Sequence, residues 1–190
     1  MSVTPSTTQI PGYVAGTWNI DPVHTDISFT VRHLMVSKVR GKFAGFEGTI
    51  VTAENPFDSS VNVSVDLASI DTGNPQRDDH IRGADFFDSE QNRTMTYRST
   101  GVRPDGDDYL LEGELTLKGV TKPLLLKVEL NGFARDPWGG TRVGFSASGE
   151  INRHDFGVSF NAPLEGGGVV VGDRVQIAIE VEAVLGSQEA

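Results

Sequence analysis

Seven stretches of the chain alternate apolar and polar residues at period two, with the apolar side mostly on odd numbers. The clearest are Ile27-Phe29-Val31, Val61-Val63-Val65-Leu67, Leu124-Leu126-Val128-Leu130 and Val175-Ile177-Ile179-Val181. Between their members sit Ser28, Thr30 and Arg32; Asn62, Ser64 and Asp66; Lys127 and Glu129; Gln176, Ala178 and Glu180. Such a period suits a strand with one face on a core or cavity and the other in water. Candidate strands fall near 17–36, 37–52, 60–70, 94–103, 107–118, 123–134, 141–152 and 174–185. Turn chemistry separates them: Asp21-Pro22, Asn55-Pro56, Pro104-Asp-Gly106, Asn131-Gly132, Asp136-Pro137 and Gly139-Gly140. Lys118 to Pro123 joins two alternating runs and reads as a hairpin turn.

Many one-sided antiparallel strands with short turns make an up-and-down barrel or a sandwich. The shared parity favours one continuous inner face, with odd residues of 27–33, 61–67, 109–117, 124–130, 143–147 and 175–183 pointing inward. A bulge is expected at Ala44-Gly45, since Phe43 and Phe46 both favour burial. The segment Asn74–Arg82 breaks the pattern: Pro75 at a helix start and acids in the first turn predict a short helix. It leads into Asp85-Phe86-Phe87-Asp88, expected to lie across or beside the interior with at least one ring buried. A second irregular stretch is Gly166-Gly167-Gly168. One domain, residues 17–186, is expected after a flexible tail over 1–16.

The 190 residues suffice for one well-buried domain. Sixteen basic and twenty-six acidic side chains leave a net charge of −10. Such a surface repels phosphate backbones and anionic headgroups, and no Lys/Arg block is seen to reverse it locally, so nucleic acid is not an expected partner. The absence of cysteine removes disulfides and thiol chemistry. The opening residues lack a basic and an apolar region, and no run approaches the ~20 apolar residues of a membrane span. The expectation is a soluble cytoplasmic protein, with a homodimer as a possible assembly.

Histidines 24, 33, 80 and 154 lie on four separate segments without metal-ligand spacing, so neither metal nor cofactor is expected. His33 reads as a core histidine bonded to a neighbour, or as a polar contact for a ligand's head. Asp21 and His24 read as turn-formers, Arg153 and Asp155 as a local ion pair, and Arg77, Asp78, Asp79 and Arg82 as a solvated helix face. Gly144-Phe-Ser146-Ala-Ser148 misses the nucleophile-elbow pattern, and no phosphate-binding glycine motif occurs.

Other residues are more specific. Thr17-Trp18-Asn19-Ile20-Asp21-Pro22-Val23-His24-Thr25 leads into Phe29-Thr30-Val31-Arg32-His33, then Val39-Arg40-Gly41-Lys42-Phe43 and Phe46-Glu47-Gly48. Further on come Arg77-Asp78-Asp79-His80-Ile81-Arg82, Asp85–Asp88, Gly113–Pro123 and Arg153-His154-Asp155-Phe156-Gly157. This combination, from Trp18 to about Val184, resembles the YceI-like family. The resemblance implies an all-β, eight-stranded, antiparallel lipocalin-like barrel, with the helix and irregular segment near residues 75–90 between strands. It also implies an elongated apolar cavity for an isoprenoid or other long-chain lipid, and no catalysis. Family members are often periplasmic, from which this sequence departs. Phe29, Val31, His33, Phe43, Val63 and Phe86, with Tyr97, Leu115, Leu126, Val128, Phe145 and Ile177, are the candidate lining. Small residues Gly41, Gly113, Ala147 and Gly149 are expected to leave space, or to mark bends. The leading function is binding, sequestration or transport of a polyisoprenoid, quinone or fatty-acid derivative. The alternatives are an enzyme using His33 or His24 as acid/base in the same cavity, and a ligand-free structural barrel.

Overall fold

The computed structural model describes residues 10–162 and 170–186. Eleven strands and one α-helix follow in order: β1 (Gly16–Ile20), β2 (Asp26–His33), β3 (Ser37–Phe43), β4 (Phe46–Thr52), β5 (Ser60–Asp66), β6 (Ile70–Asp71), α1 (Pro75–Arg82), β7 (Thr94–Asp105), β8 (Asp108–Leu117), β9 (Val120–Arg135), β10 (Thr141–Asn152) and β11 (Val171–Leu185). All pairings are antiparallel, and three of the expected long strands are each interrupted once. β1 and β2 both pair with β11, through Trp18↔Leu185 and Ile27↔Ile179. β3 runs into β4 and β5 into β6, so the eleven strands make eight staves, closed where β11 meets β1 and β2. Closure removes the unpaired edges that an open sheet would present.

The interruptions have local causes. Asp21 accepts from the Val23 amide and turns the chain between β1 and β2. The break between β3 and β4 is at Ala44-Gly45, as expected, and it lets Phe43 and Phe46 both join the interior. Asp66 accepts from the Ala68 amide to start the 3-10 turn between β5 and β6.

Inward parity differs from the expectation in one of the six runs. In 124–130 the even residues Leu124, Leu126, Val128 and Leu130 line the interior, while Leu125 is exposed. The cause is the Lys118-Gly119 turn, both residues at positive φ, which pairs Leu117 with Val120 and Gly113 with Leu124. A two-residue loop makes paired residues sum to an odd number, so the inward set changes parity across it. The pairing Leu130↔Phe145 changes it back for β10. Asn131-Gly132 is not a turn but a bulge inside β9, where the register with β10 shifts.

Asn74 caps α1 by accepting from the Arg77 amide, and Pro75 occupies the first turn. The helix face expected to be solvated is instead stapled to the chain before it. Asp78 is buried and accepts from the backbone N–H and hydroxyl of Thr72. Arg77 donates to the Thr72 hydroxyl and carbonyl, and Arg82 to the carbonyls of Ala68 and Ile70. These bonds hold α1 against β6, which itself pairs with Lys42 and Phe43 of β3.

Of the expected tail, residues 1–9 lie outside the described residues, as does Gly166-Gly-Gly168. Residues 10–15 pack: the Tyr13 ring meets Phe133 at 5.4 Å, and the Tyr13 hydroxyl donates to the Ala53 carbonyl. Fully buried Trp18 donates its indole N–H to the Thr52 hydroxyl (2.8 Å), which donates in turn to the Val14 carbonyl. No helix among the described residues is long and apolar enough to cross a membrane.

The β1–β2 turn is tied to the β9–β10 turn by Arg142, whose guanidinium reaches Asp21 (2.8 Å) and Asp136 (3.0 Å). Hydrogen bonds from His24 and Arg142 lower the Asp21 carboxyl from 3.8 to about 2. A depressed folded-state pKa gives stability that is present above the unfolded value and lost as pH falls through the folded one. The urea midpoint should therefore decline between pH 4 and 2, and Asp21→Asn should flatten that decline, as followed by circular dichroism at successive pH values.

Candidate functional site

The barrel encloses a cavity of about 770 Å³, within the range of sites that hold one ligand. Its middle is apolar: Phe29, Phe43, Val63, Leu115, Leu126 and Ile177 face it from six different strands. The other sequence candidates, Val31, His33, Phe86, Tyr97, Val128 and Phe145, also line it. Eleven residues from eight strands thus meet on one surface, which is the geometry that closure imposes on inward positions, and Phe86 joins them from the segment after α1.

The glycines do not leave open space. A side chain at Gly41 would collide with the Phe29 ring, one at Gly113 with the Tyr97 ring, and one at Gly149 would come within 2.8 Å of Leu126. Each glycine lets a neighbouring bulky group lie flat against the wall, and this flattening keeps the lumen clear. Tyr97 is held there by a bond from its hydroxyl to the Leu124 carbonyl (3.1 Å), and burial pushes its pKa up to about 12. Ala147, flanked by Val128 and Ile179, lines the lumen directly.

The two ends differ chemically. Near the start of β1 and the end of β4, the lining polar groups are the uncharged hydroxyls of Tyr13, Thr52, Ser59, Ser60 and Tyr109. At the opposite end, below the β2–β3 turn and α1, they are His33, Asn74, Gln76, Arg77, His80 and Arg153, with exposed Arg32 at the mouth. Among the described residues no Asp or Glu lines the cavity, although the chain has twenty-six of them. His33 has no side-chain hydrogen bond among the described residues, so the reading as a bonded core histidine does not hold. Arg77 spends Nε and Nη2 on Thr72, which leaves Nη1 without a partner among the described residues.

Phe86 and Phe87 are both half-buried at this end. Phe87 packs on Phe43 at 6.1 Å, and Phe86 on Phe160 at 5.2 Å, with His80 edge-on to Phe86 and Phe160 at 5.1 Å. The expectation for Asp85–Asp88 therefore holds for both rings. Phe160 is positioned by Arg153, which is buried and has no ion pair with Asp155. Its guanidinium donates instead to the carbonyls of Val158, Phe160, Val171 and Gly172, at 2.7–3.2 Å. Burial shifts the Arg153 pKa downward. Four carbonyl dipoles compensate the desolvated cation without cancelling its charge. The sequence reading named Arg77, His80 and Arg153 without placing them at the cavity and did not single out Phe160, because their segments follow neither strand nor amphipathic-helix periodicity.

Among the described residues one cluster outside the cavity has metal-ligand chemistry: atoms of Asp21, His24 and Glu182 lie within 4.8 Å of one another. Arg142 already places a cation there, 2.8 Å from Asp21 and 3.7 Å from Glu182, and His24 bonds Asp21 at 2.8 Å. The group reads as a structural ion-pair network, in keeping with the turn-forming role expected of Asp21 and His24.

The YceI-like domain model matches residues 18–183. The chain is 43% identical over 148 residues to Protein YceI of Escherichia coli, covering 76% of this chain and 78% of that protein. Its fold resembles the crystal structure of Burkholderia cenocepacia BcnA, with a TM-score of 0.73 at 23% identity over 86% of this chain and 98% of the other. It also resembles a polyisoprenoid binding domain from Saccharophagus degradans implicated in plant cell wall breakdown (TM-score 0.68, 16% identity, 91% of this chain and all of the other).

Two substitutions test this architecture. Gly113→Val should drive the Tyr97 ring into the lumen and destabilise the fold by about 1–3 kcal/mol, the scale of overpacking. Arg153→Met should cost about 2–4 kcal/mol by leaving buried carbonyls unpaired. Urea unfolding measures both.

Proposed function

This chain belongs to the YceI-like family, and from that premise we propose that its barrel binds one long-chain amphiphilic lipid of the polyisoprenoid, quinone or fatty-acid kind without transforming it. The observation that carries the reading is the cavity's composition: an apolar lumen of about 770 Å³, free of carboxylates among the described residues, with donors concentrated at one end. A hydrocarbon tail fills the apolar length, and a head rich in acceptor oxygens faces His33, Gln76 and Arg77. The polyisoprenoid-binding neighbour from Saccharophagus degradans supports the same ligand class. Burying each methylene contributes ~0.8 kcal/mol, so a long tail outweighs the ~1 kcal/mol of one head-group hydrogen bond.

Catalysis by His33 would call for a carboxylate or metal converging on it, and no carboxylate among the described residues lines the cavity. His24 lies in the ion-pair network with Asp21 and Arg142, outside the lining. Both facts favour carriage or sequestration over turnover.

Extraction of the purified protein with organic solvent, followed by mass spectrometry, identifies a copurifying lipid. Titration with a fluorescent prenyl lipid then tests the site. Ala147→Trp should abolish uptake while the circular dichroism of the barrel is retained. His33→Ala should weaken binding by only about 1–2 kcal/mol. Undiminished uptake by Ala147→Trp would place the lipid elsewhere, and complete loss on His33→Ala alone would favour the enzyme.

A further inference from the structure

We propose that the β2–β3 hairpin docks this protein onto the surface of an anionic lipid bilayer, with Leu34, Met35 and Val36 entering the headgroup layer. Three large apolar side chains stand in solvent at its tip: Leu34 is 39% exposed, Met35 49% and Val36 84%. Isolated exposed hydrophobics are ordinary, but three in succession at one protruding turn form a patch. The backbone there is unusual as well. Leu34 and Met35 both take positive φ, 53° and 60°, the conformation for which Asn-Gly is the favoured pair in a two-residue turn. The tip thus carries large apolar residues where the turn geometry favours small polar ones.

The flanks supply the charge. Arg32, Lys38, Arg40 and Lys42, four of the chain's sixteen basic residues, are all exposed on this hairpin. No acidic residue occurs between Asp26 and Glu47. Register places Arg32 directly opposite Lys38, Thr30 opposite Arg40 and Ser28 opposite Lys42, so the cations share the outer face. Like charges facing across a ladder are destabilising unless an anion lies between them. Among the described residues none of the four makes an ion pair, although Asp71 stands opposite Lys42 in register. The expectation that no basic block reverses the charge locally therefore fails on this face: Lys38, Arg40 and Lys42 alternate along β3, and strand pairing sets Arg32 of β2 beside them.

An apolar tip above a ring of Lys and Arg is the chemistry of interfacial insertion: apolar groups enter the boundary while the cations stay at the phosphates. The net charge of −10 then orients the molecule, since its other faces are repelled by the same surface. Val31, His33 and Val39 of this hairpin line the cavity, so docking sets that end of the cavity against the membrane. This consequence rests on the lipid-binding reading, whereas the docking itself does not.

The test is co-sedimentation of the full chain with vesicles of phosphatidylcholine alone, and of phosphatidylcholine mixed with phosphatidylglycerol. Binding to the anionic vesicles is expected, with loss at high salt. The pair Met35→Asp and Val36→Asp, and separately the pair Lys38→Glu and Arg40→Glu, should each reduce it more than about tenfold. Trp138→Asp, at an exposed turn on the opposite end of the barrel, should leave it unchanged. The indole introduced by Val36→Trp should shift its emission to the blue on adding anionic vesicles. Uptake of a fluorescent prenyl lipid from detergent should survive the tip variants, which separates failure of docking from failure of the lipid site. Equal binding to neutral and anionic vesicles, no binding to either, or an unshifted indole overturns the proposal. Concentration-dependent dimerisation that Val36→Asp abolishes, without vesicle binding, overturns it in favour of a second copy.

Discussion

The pairing of β11 with β10 on one side and with both β1 and β2 on the other holds this molecule in its shape. Its first half runs against β2 and its last residues against β1, so one strand closes the whole ring. Without it, β10 and the β1–β2 stave would both be open edges, and every inward side chain would face water. The end of the ring near β1 is braced twice, by Trp18 on Thr52 and by Arg142 between Asp21 and Asp136. Both braces cross from one stave to another, which local turn chemistry does not supply.

Closure at eight staves fixes a diameter near the threshold between a packed interior and a ligand cavity. This chain falls on the cavity side through paired sizes rather than through small residues alone. Phe29 lies over Gly41, Tyr97 over Gly113 and Leu126 against Gly149, so the large groups spread along the wall. The same economy appears at the α1 end, where Thr72 anchors both Arg77 and Asp78, and Arg153 gathers four carbonyls. The result is a rigid, cation-bearing end to an otherwise apolar lumen.

Charge is sorted with similar consistency. The chain is strongly acidic, yet the described lining holds no carboxylate, and on the outer face of the β2–β3 hairpin every charged side chain beyond Asp26 is a cation. A carboxylate inside the apolar lumen would be poorly solvated and would repel an oxygen-rich head group. The acids therefore lie on other faces or serve as caps and ion-pair partners, as Asp66 and Asp136 do.

Strand identity was legible in the sequence because period two is a local property. The eight candidate runs match the eight staves, Asn74 and Pro75 announce α1, and Ala44-Gly45 marks the break that buries Phe43 and Phe46. The family resemblance added the barrel and the cavity, and all twelve candidate residues reach its wall. Tertiary structure decided the remainder. Parity in 124–130 depends on how a two-residue turn pairs Leu117 with Val120, which no single strand records. Arg153 looks like a partner for Asp155 until folding buries it among carbonyls from 158, 160, 171 and 172. The helix charges look solvated until Thr72 is brought beneath them. The sequence by itself determined which residues face inward within most strands, because side-chain alternation is built into an extended backbone. Which polar groups meet at the cavity's end was decided only by pairing across distant staves, because hydrogen bonds and charge act through space and not along the chain.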